Sequence, residues 1–591
     1  PWLLELLECA SCPLHKTRRN VVPGAGPWDA EYLFLGEGPG RDEEADENKA
    51  PFVGRAGHNL DLLLKEAGIP RASVRITNIV RCRPCNGLDA PNREPHKAEK
   101  QACAKWLQAE LEYLQPKVVV TLGAHSTSYF LSNWSIEDAH GRGVKLPQYP
   151  FVILPLNHPA AVFYDPSIKL RVLQDYRNLQ VAATHPARPP DSTHYAPVRT
   201  QAELEDLVTY LRSSSMFAFD FETSGAGDLG EEEQTFGLLS NRIVGMSVCA
   251  EAGHSYYIPT FDEHFGGDAG VVLRQLAPLL RDPSIVKVGH RIGYEWRFLM
   301  MYLHEQNPIC NFHDTAVLLY DLNRESTALK VGALRELNIL PPKIEDVIGP
   351  SGKKQLNMLE ASRQKPEAVA HYSMSDSDMT LRLAQKLLPM LDERTRRVYA
   401  IDLPLVPVIA KMEHTGARVD LDAVRKLEET YTEKRQEVAE ALHKTAGKEF
   451  NIGSVPQLAS VLYDDLKLKP APKLARKYGA RSTDKAILQD LQERLHDQRS
   501  PLEGFVSGVR GWREVNTLIT RHTTPLPGLI DPATKLVHPH FTQTAVRSTR
   551  LSCRDPNLQQ VPVRTDLGRL MRGVFVAFEG WKLLGADESQ V

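Results

Sequence analysis

YLFLGEGPG, residues 32–40, reads as a buried strand, Tyr32-Leu33-Phe34-Leu35, that runs into a glycine- and proline-rich turn. Beyond it, Leu60, Leu63, Leu64 and Ala67 repeat at helical spacing, and Gly68 and Pro70 supply the stop. KVVVTL (117–122) and FVIL (151–154) are further buried strands. Strand and helix signals that alternate in this way predict an α/β domain with a largely parallel sheet over residues 1–182. Residues 183–199 are Pro-rich, polar and free of periodicity, and read as a linker. A second α/β segment is expected over 200–390. The remainder, 391–591, carries long helical patterns over 400–448 and a strand-rich stretch from about 537.

A chain of 591 residues exceeds what one hydrophobic core holds, roughly 250–300 residues, so several domains are required. With 42% hydrophobic and 25% charged residues, disorder, collagen-like repeats and low-complexity architecture are excluded as the main theme. The formal net charge is −3, so any basic groove for a polyanion must be local. No apolar run approaches the ~20 residues that span a bilayer, which predicts no membrane partner and a cytoplasmic location. Pro1 in place of an initiator Met, and an end directly after LLGADESQV, predict a fragment.

Five of the eight cysteines, Cys9, Cys12, Cys82, Cys85 and Cys103, fall in the first 103 residues, which argues against a disulfide scaffold and for a local metal site. Cys9 and Cys12 form a C-x-x-C pair; with Cys82 and Cys103 they suit either tetrahedral zinc or an iron–sulfur cluster. In FAFDFE (217–222) the period-2 alternation puts Asp220 and Glu222 on one strand face, a way to hold divalent ions for in-line phosphodiester hydrolysis. Tyr372 and Asp376 in HYSMSDSDM stand i, i+4 on one helical face and present a phenol with a carboxylate. Seven basic residues against Asp484 alone in 466–485 read either as a solvated face or as a phosphate-gripping tip.

The ordered motifs GEGPGRDEE (36–44), PFVGRAGHNLDLLL (51–64), ITNIVRCRP (76–84), RG (142–143) and NHPAA (157–161) resemble the family 4 uracil-DNA glycosylases. That resemblance covers residues 3–182 and implies an α/β/α sandwich with a 4Fe-4S cluster on Cys9, Cys12, Cys82 and Cys103, leaving Cys85 as an extra. By motif position Phe52 is the ring that stacks on uracil and Asn78 reads its Watson–Crick edge. Glu37 is the carboxylate near the sugar, and His158 bonds the departing uracil oxygen. Gly36, Gly38 and Gly40 are expected to let backbone approach the flipped nucleotide.

DxE followed by YxxxD, over about 210–390, looks like the DnaQ-like, ribonuclease H-like 3′–5′ exonucleases. Asp220, Glu222, Tyr372 and Asp376 match its motifs and imply Mg2+ or Mn2+. The middle motif departs: VGHRIGYEWRFL places Arg291 and Glu295 at the Asn and Asp positions, and Glu295 is carried over as a candidate ligand. Asp314 reads as a capping residue. FNIGSVPQL (450–458), RSTDKAIL (481–488), FTQT (541–544), RLSCRDPNLQQVPVRT (550–565) and LLGADESQV (583–591) look like the helical thumb and first palm strands of a truncated family A DNA polymerase. This implies primer–template contacts from Gln543, Arg550, Asn557 and Gln559, and a catalytic magnesium ligand in Asp587. Ser548-Thr549 replaces the family's Thr-Gly, and Glu588 its Tyr.

The expected function is therefore replication and repair of DNA in a bacterial cell or phage-infected host: uracil excision and proofreading. Synthesis from deoxynucleoside triphosphates is expected only of a longer parent. The rival is a uracil-sensing DNA-binding module on a degenerate exonuclease scaffold; a third reading keeps the exonuclease as sole activity.

Overall fold

β1 (Tyr32–Gly36) is flanked by parallel partners on both sides, β2 (Arg75–Asn78) and β3 (Val118–Leu122), and β4 (Val152–Leu156) pairs with β3, giving the order β2-β1-β3-β4. The pleat divides β1 between two cores. Leu33 and Leu35 pack with Val119, Ile153, Trp106 and Leu107, whereas Phe34 packs with Ile76, Val120, Leu154, Leu60 and Leu64. Helices on both faces make this a three-layer α/β/α sandwich. The computed structural model describes residues 2–47, 49–224, 241–261, 264–350, 352 and 355–587. Glu588 lies outside them.

The second sheet runs β10 (Phe312–Asp314), β9 (Val286–Gly289), β6 (Met216–Thr223), β7 (Ile243–Glu251), β8 (His254–Pro259), β5 (His194–Pro197). β6 pairs parallel with β9 and antiparallel with β7. The helix Pro366–Leu387 lies across this sheet, and its buried Ser373, Ser375 and Ser377 let it approach closely. Ser247 Oγ donates to the Ser373 carbonyl at 2.7 Å, and the Ser255 and Ser377 hydroxyls meet at 2.8 Å. These two bonds, from β7 and β8, fix the helix's height over the sheet.

Residues 183–199 are not a free tether. Ala187 bridges to Val144, Arg188 bridges to Ile339, and β5 adds an edge strand alongside β8. Backbone pairing supplies what periodicity did not announce, because a short edge strand needs no apolar alternation. Around this stretch His140 meets Asp175 and Glu325, each at 2.8 Å, and Lys343 reaches Asp138 at 2.8 Å. Leu334 and Leu340 complete the core that begins at Leu6. Residues 1–223 and 243–404 accordingly form one compact unit, and residues 405–591 belong to a second.

In the second unit the helices Leu421–Ala446 and Glu503–Leu518 pack through Tyr431, Val515 and Leu518, and a separate core of Leu458, Leu488, Leu491, Val506 and Val509 lies beyond. The expectation of a strand-rich stretch from 537 is corrected: among the described residues, ladders are limited to β11 (Ala417–Arg418) with β12 (Leu536–Val537) and β13 (His540–Thr542) with β14 (Ser552–Arg554), with isolated bridges at Val419–Phe575 and Ile530–Val537. Pro539, Pro556 and Pro562 interrupt the ladder by removing donors.

Candidate active sites

The C-terminal ends of β1, β2 and β4 converge on one pocket. A Cβ on Gly36 would stand 2.3 Å from Asn78 Oδ1 and 2.7 Å from the Phe52 ring, so only glycine lets these side chains meet there. At Gly38 a Cβ would meet Val80 Cγ2 at 2.8 Å, whereas at Gly40 the nearest atom is 3.7 Å away. The expectation that all three serve nucleotide approach is thereby narrowed: Gly36 and Gly38 are required by the protein's own side chains, and Gly40 has room. Phe52 adopts φ 58°, held by Glu43, which accepts from the Phe52 and Gly40 amides at 2.8 and 2.6 Å. The His158 ring lies 5.6 Å from the Phe52 ring at 36°. Burial pushes His158 down to about 4, and the Ala160 amide donates to its Nδ1 at 3.2 Å. The ring is therefore neutral with its proton on Nε2, a fixed donor. Asn78 is buried and its Nδ2 has no hydrogen-bond partner among the described residues.

Glu37 follows Gly36 in the turn after β1 and is half-buried. Burial raises its carboxyl, opposed by His125 and Lys100, while Glu94 adds to the rise. His125, whose single occurrence in GAHS carried no sequence signal, stands 3.7 Å from Glu37 and 3.6 Å from Glu94.

Cys9, Cys12, Cys82 and Cys103 lie around one core, and each feels at least one of the others electrostatically. None is in a disulfide. Trp106 Nε1 donates to Cys9 Sγ at 3.3 Å, Arg18 to Cys82 at 3.2 Å, and the Arg81 amide to Cys103 at 3.4 Å. The four sulfurs do not form a metal-spaced group among the described residues; what they share with a thiolate-bound centre is free thiols and donors aimed at sulfur. Burial pushes Cys82 up to about 11 and raises Cys103, which coordination would reverse. Cys85 turns away toward the Thr17 carbonyl at 3.8 Å. Beneath this site Glu110, fully buried, holds Arg75 at 2.5 Å and Arg81 at 2.6 Å.

In the second sheet Asp220 and Glu222 on β6 and Asp376 on the long helix bring ligand oxygens within 4.8 Å of one another. Burial raises Asp220, and burial with the Asp220 charge raises Glu222; a divalent ion would relieve both. Neighbouring Asp378 faces elsewhere, accepting from Tyr195, Gly253 and Arg382 at 2.8–2.9 Å. Tyr372 is buried, and burial with Glu222 and Asp220 keeps it a phenol. Glu295 is not one of the three: it is buried beside them, its Oε2 unpartnered and its carboxyl raised by burial and Asp220. Arg291 is exposed. Asp314 caps the helix Thr315–Asp321, accepting from the amides of Ala316, Val317, Arg291 and Ile292. Lys330, absent from the motif reading, is ion-paired to Asp376 and lies 4.1 Å over the Tyr372 ring.

The polymerase-like residues are not assembled in the same way. Arg550, Gln559 and Asp587 are exposed, Gln543 and Asn557 half-buried, and Asp587 joins no metal-spaced carboxylate group among the described residues. Thr549 sits at φ 59° in the turn before Arg550, a region that strains a β-branched residue by about 1–2 kcal/mol. Thr549→Gly is expected to raise the denaturant midpoint of the second unit, with a gain of up to about 1 kcal/mol because glycine's greater unfolded-state entropy offsets part of the relief.

Three family descriptions match successive stretches: the uracil DNA glycosylase superfamily over residues 23–180, 3′-5′ exonuclease over 195–392 and DNA polymerase family A over 421–591. The fold and these matches thus define a glycosylase-superfamily domain followed by stretches similar to 3′-5′ exonucleases and family A DNA polymerases. The chain is 38% identical over 192 residues to the type-4 uracil-DNA glycosylase of Sulfurisphaera tokodaii, 31% of this chain and 84% of that protein. It is similarly 38% identical over 186 residues to that of Saccharolobus solfataricus, 30% of this chain and 83% of that protein. To DNA polymerase I of Pseudomonas aeruginosa it is 33% identical over 409 residues, 67% of this chain and 42% of that protein. Through its amino-terminal part this chain belongs to the type-4 uracil-DNA glycosylases, and the stretches behind it match the 3′-5′ exonuclease and family A DNA polymerase descriptions. It spans about two-fifths of the length of the curated DNA polymerase I relatives.

Proposed function

We propose that the chain is a DNA repair and proofreading unit whose amino-terminal domain releases uracil from DNA and whose second domain removes 3′-terminal nucleotides. The meeting of Phe52 with Asn78 beside Gly36, one residue from Glu37, and with the His158 ring carries this reading. Uracil flipped into it stacks on Phe52, bonds the free amide of Asn78, and places its departing oxygen against the Nε2–H of His158. Glu37 faces the sugar as a carboxylate, taking a proton from the attacking water. Cys9, Cys12, Cys82 and Cys103 would hold a 4Fe-4S cluster, which would tie the start of the chain, the loop after β2 and the helix Lys97–Leu114 to one another. Asp220, Glu222 and Asp376 would hold Mg2+ or Mn2+, which would supply positive charge for the phosphate being cleaved. Tyr372 orients that phosphate, and Glu295 supports the group from behind. The second unit grips primer–template with Gln543, Arg550, Asn557 and Gln559 and with the exposed Lys467–Lys485 cations, and Asp587 belongs to a polymerase centre of a longer parent.

A uracil oligonucleotide cut after alkali treatment tests the first activity; intact product with cluster-loaded protein would overturn it in favour of uracil sensing. Magnesium-dependent digestion of a mismatched 3′ end tests the second. Asp220→Ala is expected to slow it by about 10²-fold or more, the scale of losing one electrostatic contact in a transition state.

A further inference from the structure

Glu37 has a neighbour that the glycosylase motifs do not contain. His125, in the first turn of the helix Ala124–Phe130, faces Glu37 with its Nε2 at 3.7 Å. On the opposite side of its ring, Nδ1 stands 3.0 Å from Lys100 Nζ. An ammonium has donors only, so this contact makes Nδ1 the acceptor and puts the imidazole proton on Nε2, the nitrogen that faces Glu37. We propose that Lys100 and His125 form a positioning relay that holds Glu37 in place as a carboxylate for cleavage of the glycosidic bond. The inference rests on the uracil-releasing reading above and deepens it.

The order of groups explains why the relay is needed. A carboxylate half-enclosed by the pocket loses hydration, and burial alone would favour its protonated form, which cannot accept a proton from water. In the cleavage step water's oxygen bonds C1′ while the C1′–N1 bond breaks and its electron pair leaves with uracil. The proton released from water goes to Glu37, and the charge on uracil is met by His158. Only ionised Glu37 takes part. His125 turns its Nε2–H toward it from 3.7 Å and Lys100 adds a nearby positive charge, and both act electrostatically to lower its proton affinity. Glu94, mostly exposed at the rim, competes: it lies 3.6 Å from the same Nε2 and repels the Glu37 charge. His125, Lys100 and Glu94 are the titratable groups that face Glu37.

The relay therefore has two arms with opposite signs. His125→Leu removes the donor at similar volume and is expected to move the acid limb of the single-turnover excision profile upward by about one pH unit. His125→Gln, whose amide can donate in the same direction, should restore the parent limb. Glu94→Gln should move it downward, and by less as salt is raised, because an exposed charge is screened. KM for the uracil oligonucleotide should stay within about twofold in all three, since none touches the base. Limbs that coincide in parent, His125→Leu and Glu94→Gln would overturn the relay. A parent that releases no uracil would instead overturn the proposed function. The relay is then read from the pH dependence of binding to the same oligonucleotide, whose midpoint must move with the same signs or the relay fails too.

Discussion

His158→Ala is expected to slow uracil release about 10²–10³-fold, the range for removing one preorganised donor to a developing oxyanion. The ring is already committed as a donor before substrate arrives. The Ala160 amide occupies Nδ1, burial keeps the imidazole neutral at about 4, and the Phe52 ring lies alongside. Because the proton sits on Nε2 over the whole working range, the loss should be nearly independent of pH above about 5. That separates His158 from Glu37, whose substitution should alter the acid limb. Binding of uracil DNA should weaken far less than turnover, because the bond to the departing oxygen strengthens as charge develops. Single-turnover rates and equilibrium binding on the same variant check both statements; equal losses in the two would mean His158 acts only in binding.

Glu110→Ala is expected to destabilise the first unit by about 3–5 kcal/mol, the cost of leaving buried charge uncompensated. Glu110 is fully buried and bonded to Arg75, Arg81 and the Thr77 hydroxyl, with both arginines themselves 1–2% exposed. Burial works to raise its carboxyl, but Arg81 and Arg75 outweigh it and the net position is below the usual range. A carboxyl depressed in the folded state contributes stability above its unfolded value of about 4.3, and loses that contribution as pH falls through its folded value. Stability of the parent should therefore decline more steeply below about pH 4 than that of Glu110→Gln. Because the Arg81 amide also donates to Cys103 Sγ, the variant should bind iron less well. Denaturant melts across pH, with iron counted per chain, measure both effects.

The amino-terminal sheet was legible because its signals are local. Tyr32 to Leu35, Val118 to Leu122 and the helix ending at Gly68 were each announced by apolar runs and stop residues, and each is present within a residue or two. The stretch 183–199 was misread because an edge strand and two isolated bridges carry no periodic pattern of their own. The carboxy-terminal strands were over-read, since alternation was present but prolines removed the ladder donors.

Chemistry divides in the same way. Residue order alone determined that Asp220 and Glu222 share a face, because a pleat has period 2, and that Tyr372 and Asp376 do, because a helix repeats near 3.6. The family resemblance, not residue spacing, singled out Cys9, Cys12, Cys82 and Cys103 from Cys85, and the structure showed that Gly36 lets Asn78 and Phe52 meet beside β1. Only tertiary structure decided that Asp376 reaches the β6 carboxylates while Asp378 is consumed by Tyr195, Gly253 and Arg382. It likewise decided that Glu295 stays outside the group, that Lys330 enters it, and that Lys100 reaches Glu37 through His125. Those partners come from separate elements, and the interaction of a charge depends on distance and burial, which spacing along the chain does not encode.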